Sequence, residues 1–306
     1  MRTLRFHEYG EPADVLRLED APVPAPGPGR VRVAVHAVGL APADWALCRG
    51  LFQGELPRGI GLDVSGTVDA VGEGVTDVVV GDRVLGSADY AGQPVAGAGD
   101  QAVLDHWALA PDGLDLVQAA ALPMAVMTAA NTLDVFGLTA GQSILIHGAG
   151  STIGYAATQM ALFRGARVYA TAGETYADAL TAMGAKVTSY GDGMVDRVRE
   201  LAGGPLDLAL DTAPVNGVLP DLITIVDGDP RRVMTIADPT ARELGVRLNL
   251  DEGVTPSYDM LGEFAQYAAE GRFTIPVART FPLTDWKTAM EISLSGRARG
   301  KLVLLP

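Results

Sequence analysis

Beyond about Leu116, short strand-like runs, the clearest of them the apolar SILI, alternate with longer segments of helical texture. The runs fall at 143–147, 166–171, 186–189, 206–211, 231–237 and 246–250, and the helical segments near 152–164, 174–182, 192–202 and 217–225. Unbroken apolar runs read as strands buried on both faces, and their alternation with helices predicts an α/β fold with a doubly wound parallel sheet. A long apolar helix is predicted over QAAALPMAVMTAANTLDVF, broken by Pro123, and another over 256–270. The N-terminal third has a different texture. VRVAVHAVGL (31–40) reads as a long strand, and SGTVDAVG (65–72) and DRVLG (82–86) as shorter ones, with Gly and Pro between them. AGQPVAGAG (91–99) reads as a mobile surface loop. The tail returns to strand-like pieces, ARTFPL and GKLVLLP. The pattern therefore predicts one β-rich domain made of both ends, 1–115 and 276–306, with the α/β unit, 116–275, inserted between them.

The most informative junction follows the first of the buried strands. SILI leads into HGAGSTIG and then into the apolar helix YAATQMALF. A strand, a tight small-residue turn and a helix N-terminus together make an anion site, because the turn admits close backbone approach and the helix offers free N–H groups. The spacing departs from G-x-G-x-x-G. Gly148 and Gly150 fit its start, but the next glycine, Gly154, comes one residue late. Read from Ala149, the six residues AGSTIG keep small residues at all three glycine positions, with Ser151 at the second. Gly150, Ser151, Thr152, Ile153 and Gly154 are the candidate dinucleotide phosphate site, since the strand-before, helix-after condition holds. The alternative is a tight turn and nothing more.

Charge and cysteine content narrow the class. The 306 residues carry 37 acidic and 23 basic side chains, a formal charge of −14, which argues against nucleic acid or an anionic membrane as partner. Hydrophobic residues make up 48% and charged residues 20%, a globular profile. The single cysteine, Cys48, excludes an internal disulfide and a multi-cysteine zinc site. No apolar signal core and no uninterrupted apolar run of transmembrane length is present, so a cytoplasmic location is expected.

In order along the chain, VGLAPADW (38–45), GLDVSGTVDAVGEGVTDVVVGDRVLG (61–86), AAALPMAVMTAANTL (119–133), GLTAGQSILIHGAG (137–150), ATAG (170–173), GAKVTSY (184–190) and GRARGKLVLLP (296–306) resemble the zinc-independent medium-chain dehydrogenase/reductases, in their quinone oxidoreductase-like branch. The resemblance covers nearly the whole chain. It implies a GroES-like catalytic domain, a Rossmann coenzyme domain, a cleft between them, NADPH-dependent reduction of a small-molecule substrate, and a homodimer formed through the coenzyme domain.

Catalytic zinc takes about three protein ligands from Cys, His or carboxylate. Where zinc-dependent relatives carry Gly-His-Glu, this chain has Gly61, Leu62 and Asp63, and their cysteine position reads Leu40 or Ala41. No metal is therefore expected, and without a strong Lewis acid the natural acceptor is one that is already electron-poor: a quinone, an enone or an activated alkene.

Coenzyme choice is read at the end of the second strand, where NAD enzymes place an acid about 20 residues past the first glycine. Here positions 168–171 hold none, and the tip, with Ala172 and Gly173, is small and neutral. Glu174 follows closely and Ala177 stands where relatives often carry a basic residue; both cut against NADPH, which the tip otherwise favours. The resemblance puts Tyr190 near the 2′-phosphate, Thr128 near the ribose–nicotinamide region and Lys301 near the coenzyme. Their ordinary alternatives are a strand-end aromatic, a hydroxyl bonded to its own helix, and a solvated basic residue opening a strand. His147 resembles a position filled by packing rather than catalysis.

The substrate side departs from the family. Ala41 stands where relatives often carry Asn, and Phe52 where they often carry Tyr, and a further polar position reads Ala46. Trp45 and Phe52 either line a flat apolar pocket with Ala41 or belong to the core. Asp44 is kept: it is a weak catalytic candidate, as an orienting or relay carboxylate, with a helix cap as the alternative. The expected cleft is greasy and poor in donors, with protonation from water. Beside quinone reduction, the readings left open are an enoyl or enone reductase of secondary metabolism and a non-redox cyclase, isomerase or coenzyme-binding protein on the same scaffold.

Overall fold

The computed structural model describes residues 1–213, 217–253 and 257–306. They form two compact units, one from 1–124 with 258–306, the other from 125–257.

In the second unit six of the expected runs supply the strands of one parallel sheet, buried at its centre and partly exposed at its edges. Its order is Lys186–Thr188, Arg167–Thr171, Ser143–His147, Leu208–Asp211, Val233–Thr235, Arg247–Leu248. All five residues of Ser143–His147 are buried, as a strand covered on both faces requires. Helices Thr152–Phe163, Glu174–Ala182, Met194–Ala202 and Leu219–Ile225 connect the strands. Successive strands run outward from Ser143–His147 to one side and then, from Leu208, to the other, so that strand's carboxyl end is the switch point at which ligands bind in such sheets. The turn 148–151 lies there. This is a Rossmann sheet.

The first unit holds a six-stranded sheet, ordered Val277–Pro282, Lys301–Leu305, Val31–Leu40, Asp63–Val71, Arg83–Ala88, Gln101–Leu109. Val31–Leu40 also pairs with Gln101–Leu109, so four strands close on themselves as a small barrel with the two C-terminal strands at its edge. A second sheet of three strands, with Arg2–Phe6 between Arg17–Asp20 and Arg58–Gly59, packs its Leu4 and Phe6 into the core shared with Trp45, Leu47, Phe281 and Trp286.

Two sequence expectations change here, and the expected break at Pro123 is found. The loop 91–99 is a surface segment only in its first half: Ala91, Gly92 and Pro94 are exposed, but Val95 through Gly99 are buried. Gly97 and Ala98 N–H groups donate to Gly61 and Ile60 carbonyls at 2.8 and 2.9 Å, and Leu4 donates to Ala98 at 2.8 Å. Small residues make this segment fit: a Cβ on Gly97 would stand 2.3 Å from the Val64 side chain and 2.5 Å from the Gly61 carbonyl oxygen. The helix expected at 256–270 runs from Leu261 to Ala269; position 256 lies outside the described residues. That helix belongs to the first unit, with Gly262 against Ala108 of the strand Gln101–Leu109. The long apolar stretch is two helices, Leu116–Ala119 and Pro123–Phe136, because proline takes the first position of the second. The first of them stays with the barrel, where its Leu116 carbonyl accepts the Ser65 hydroxyl. By length and composition Leu116–Phe136 would suffice to cross a membrane, but 67% of its most apolar window is buried inside the protein.

Candidate active site

The phosphate turn is assembled from backbone. Gly148 sits at φ +73°, and a Cβ there would lie 2.8 Å from the Ala213 nitrogen. Gly154, in the first turn of the helix Thr152–Phe163, is equally constrained: its Cβ would meet the Gly148 carbonyl oxygen and the Thr212 hydroxyl, both at 2.5 Å. Gly150 differs, since only the Tyr176 ring approaches it, at 3.3 Å. The two outer glycines therefore hold helix, strand and turn together, and the middle one leaves room above the backbone. Ser151 caps the helix, its hydroxyl oxygen accepting the Gly154 N–H at 3.0 Å. The N–H groups of Thr152 and Ile153, at the first two positions of the helix, have no partner within it. This cradle fits a dinucleotide pyrophosphate; Gly150, Ser151, Thr152 and Ile153 would hold it.

The strand tip beside the turn is neutral. Ala172 is buried and bonded through its N–H to the Thr188 carbonyl at 3.1 Å. Gly173 caps the helix Glu174–Ala182. The Tyr190 hydroxyl lies 3.6 Å from where a Gly173 Cβ would stand, and the residue is 59% exposed. Tyr190 thus stands over the tip with its side chain open to solvent. A basic side chain bound to this corner was missed in the sequence: Arg197, whose guanidinium donates to the carbonyls of Ser189, Tyr190 and Asp192 at 3.1, 3.3 and 2.7 Å. Nothing local in MVDRVREL marks it, because the contact arises from the helix folding back on the loop before it. Asp211 was also missed. Burial pushes its carboxyl up to about 6, and it accepts the Thr235 hydroxyl at 2.8 Å and the Ala213 N–H at 3.1 Å, fixing the segment that closes against Gly148.

His147 is a packing residue by its surroundings. It is buried, its Nδ1 meets the Thr171 hydroxyl at 2.8 Å, and burial lowers its pKa to about 4. The Thr128 hydroxyl contacts the Met127 sulfur at 3.9 Å.

In the first unit the predicted residues separate. Asp44 is completely buried and accepts three backbone N–H groups, from Ala41 at 2.7 Å, Gly61 at 2.7 Å and Leu62 at 3.1 Å. It does more than cap the helix Pro42–Cys48: it ties that helix to the segment 61–62. Burial nevertheless raises its pKa to about 6. Trp45 is completely enclosed and donates to the Ser293 hydroxyl at 2.8 Å; it is a core residue, not a pocket wall. Ala41 is buried at the same helix's start. Phe52 goes the other way, 53% exposed, at φ +53°, its ring 6.4 Å from that of Tyr90. Lys301 is not solvated: it is 3% exposed and its ammonium bonds Asp63 at 2.6 Å. Asp63 also accepts the Met124 N–H at 2.8 Å.

This donor set does not fit a zinc ion. Asp63 is spent on Lys301. The Cys48 thiol is buried, contacts the Asp44 carbonyl at 3.8 Å and is pushed up to about 12, chiefly by burial. Among the described residues no three His, Cys, Asp or Glu side chains converge as metal ligands.

Residues 143–304 match the family described as zinc-binding dehydrogenase, and 27–111 match the alcohol dehydrogenase GroES-like domain. The chain belongs to this family, as a quinone oxidoreductase-like medium-chain dehydrogenase/reductase. It is 29% identical over 328 aligned positions to human quinone oxidoreductase, covering 100% of this chain and 98% of that one. It is 33% identical to part of the spectinabilin polyketide synthase system protein NorB of Streptomyces orinoci, over 90% of this chain but 13% of that protein's length. Among solved structures, the quinone oxidoreductase from Coxiella burnetii superposes with a TM-score of 0.81 at 27% identity, covering 100% of this chain and 99% of that one. Mycobacterial Rv1454c complexed with NADPH gives 0.78 at 25%, covering 100% of both. The protein is an oxidoreductase of this family.

Proposed function

We propose that the protein is an NADPH-dependent, zinc-independent reductase of conjugated carbonyl compounds, with a quinone as acceptor. The observation that carries this is the pairing of a roomy glycine at position 150 with a neutral strand tip over which Tyr190 stands. The turn holds the pyrophosphate, and the tip offers no acid on the strand itself to claim the ribose hydroxyls. Arg197 braces the Tyr190 loop by its carbonyls, positioning that side chain and adding positive charge at the corner where a 2′-phosphate would sit. The resemblance to human quinone oxidoreductase and to a structure complexed with NADPH supports the same reading.

Bound NADPH supplies a hydride. With no zinc ligand set to polarise an alcohol or ketone, the acceptor must be electrophilic in itself. A quinone that takes one hydride and one proton from solvent becomes a hydroquinone, which needs no stereospecific protonation at carbon. The protein's part is to position the acceptor and exclude water. The similarity to a polyketide synthase protein favours a second reading, an enoyl reductase.

The test is NADPH consumption against a quinone panel and an enone panel, with both coenzyme affinities measured. Turnover of quinones, with NADPH bound about tenfold or more tighter than NADH, about 1.4 kcal/mol, is expected. An NADH preference would mean that Glu174 reaches the ribose. Tight NADPH binding with no turnover would favour a non-redox use of the scaffold.

A further inference from the structure

The phosphate turn divides its own N–H groups into two sets. Those of Gly148 and Ala149 turn back onto the strand Arg167–Thr171, where one residue takes both. The Thr171 hydroxyl accepts Gly148 at 3.2 Å, and the Thr171 carbonyl accepts Ala149 at 3.0 Å. The N–H groups of Gly150, Thr152 and Ile153 have no partner among the described residues. Thr171 is completely buried at the end of its strand. Its hydroxyl has a second neighbour, His147 Nδ1, at 2.8 Å. A hydroxyl carries one proton and two lone pairs, and the Gly148 N–H takes one of the lone pairs. Were Nδ1 protonated, it would take the other. The hydroxyl proton would then have no acceptor among the described residues, a buried donor left unpaired. The balanced arrangement is a chain: Gly148 N–H donates to the Thr171 oxygen, and Thr171 O–H donates to a bare His147 Nδ1. The ring proton then sits on Nε2. Burial lowers the His147 pKa to about 4, so the ring is neutral at neutral pH, as this chain requires.

We propose that Thr171 is the positioning residue of the phosphate turn, its hydroxyl oriented by the Nε2–H tautomer of His147. By holding the first two N–H groups inward, it leaves the later ones free for the pyrophosphate of the coenzyme. This assignment rests on the coenzyme reading for its ligand, but not for its geometry. Position 171, read in the sequence only for its lack of an acid, thereby acts on the turn through a side chain, and His147 acts through Thr171 rather than on any ligand.

Two measurements on the full chain test it: nitrogen-15 NMR of the imidazole, which reads the tautomer, and calorimetry of NADPH binding. The Nε2–H tautomer is expected for His147. Thr171→Val keeps the side chain's outline and removes the hydroxyl, whereas Thr171→Ser keeps the hydroxyl. Valine is expected to weaken NADPH binding about tenfold, and serine to stay within about threefold of the unaltered protein. A residue that only filled space would be replaced better by valine than by serine. Should Thr171→Val fail to fold, Thr171→Ala against Thr171→Ser makes the same comparison. An Nδ1–H tautomer overturns the proposal, as does NADPH affinity that is the same with and without the hydroxyl. An Nε2–H tautomer that is lost in Thr171→Val, in a protein that binds no NADPH, supports the chain of hydrogen bonds while sinking the coenzyme reading.

Discussion

The candidate groups of the two units are made of different materials. At the phosphate turn the working groups are backbone N–H donors, held by glycines that a side chain would dislodge: Gly148 against Ala213, Gly154 against Thr212. In the barrel unit the candidate groups are side chains instead: Asp44, Phe52 and the Lys301–Asp63 pair come from separate parts of the chain. A backbone site is encoded in one short contiguous stretch and tolerates almost no change there. A side-chain site is dispersed, and a group lost at one position can be supplied from another. Damage should therefore be all-or-none at the turn and graded in the barrel unit.

The largest effect expected is structural. Gly154→Val places side-chain atoms where the Gly148 carbonyl and Thr212 hydroxyl already stand at 2.5 Å from the first added carbon. A loss of about 3 kcal/mol or more is expected, read by denaturant unfolding. Unaltered stability would mean that the turn is looser than its contacts imply.

Next comes the strand that feeds the turn. The pKa of His147 is lowered to about 4, mainly by burial. The unfolded chain, with an ordinary imidazole near 6.5, then binds more protons than the folded one, so this group's contribution is present above about pH 6.5 and lost as pH falls toward 4. The full difference is about 3 kcal/mol. His147→Asn should flatten the stability profile over that window. The buried Asp44, raised to about 6, acts with the opposite sign. Its contribution is present at acid pH and lost as pH rises through about 6, so Asp44→Asn should steepen the acid-side loss. Profiles that coincide for the His147 variant and the unaltered protein would place the imidazole in solvent.

The smallest effect belongs to the barrel unit. Phe52 is exposed, so Phe52→Tyr adds a hydroxyl that water can satisfy, and the melting temperature should hold to within about 0.5 kcal/mol equivalent. The new donor beside Tyr90 should raise enone turnover relative to quinone turnover by a few-fold, up to about tenfold. A lowered melting temperature with an unchanged ratio would remove Phe52 from the acceptor site.

The same contrast explains what could be read before the structure. Ser143–His147 is visible in the sequence because a strand buried on both faces needs an unbroken apolar run, its neighbours because they alternate with helices, and the turn because its chemistry is local. The barrel strand Gln101–Leu109 carries Asp105 and His106 in its middle, which breaks the apolar pattern, so its existence and its pairing with Val31–Leu40 were not legible. Segment 91–99 looked like a surface loop because glycine and alanine mark loops, whereas here they allow burial against Gly61 and Val64. Trp45 and Phe52 carry the same apolar signal and take opposite places, one enclosed and one exposed. Lys301 reads as a solvent residue until Asp63, 238 positions earlier, is found against it.

The central claim is that the turn 148–154 holds the coenzyme's phosphates, and Gly150 tests it most directly because nothing but the Tyr176 ring crowds it. The measurement is the NADPH dissociation constant of Gly150→Val, with circular dichroism recorded on the same sample. A folded variant that binds NADPH at least about a hundredfold more weakly, roughly 2.7 kcal/mol, is the result expected. A folded variant that binds NADPH as tightly as the unaltered protein would contradict it.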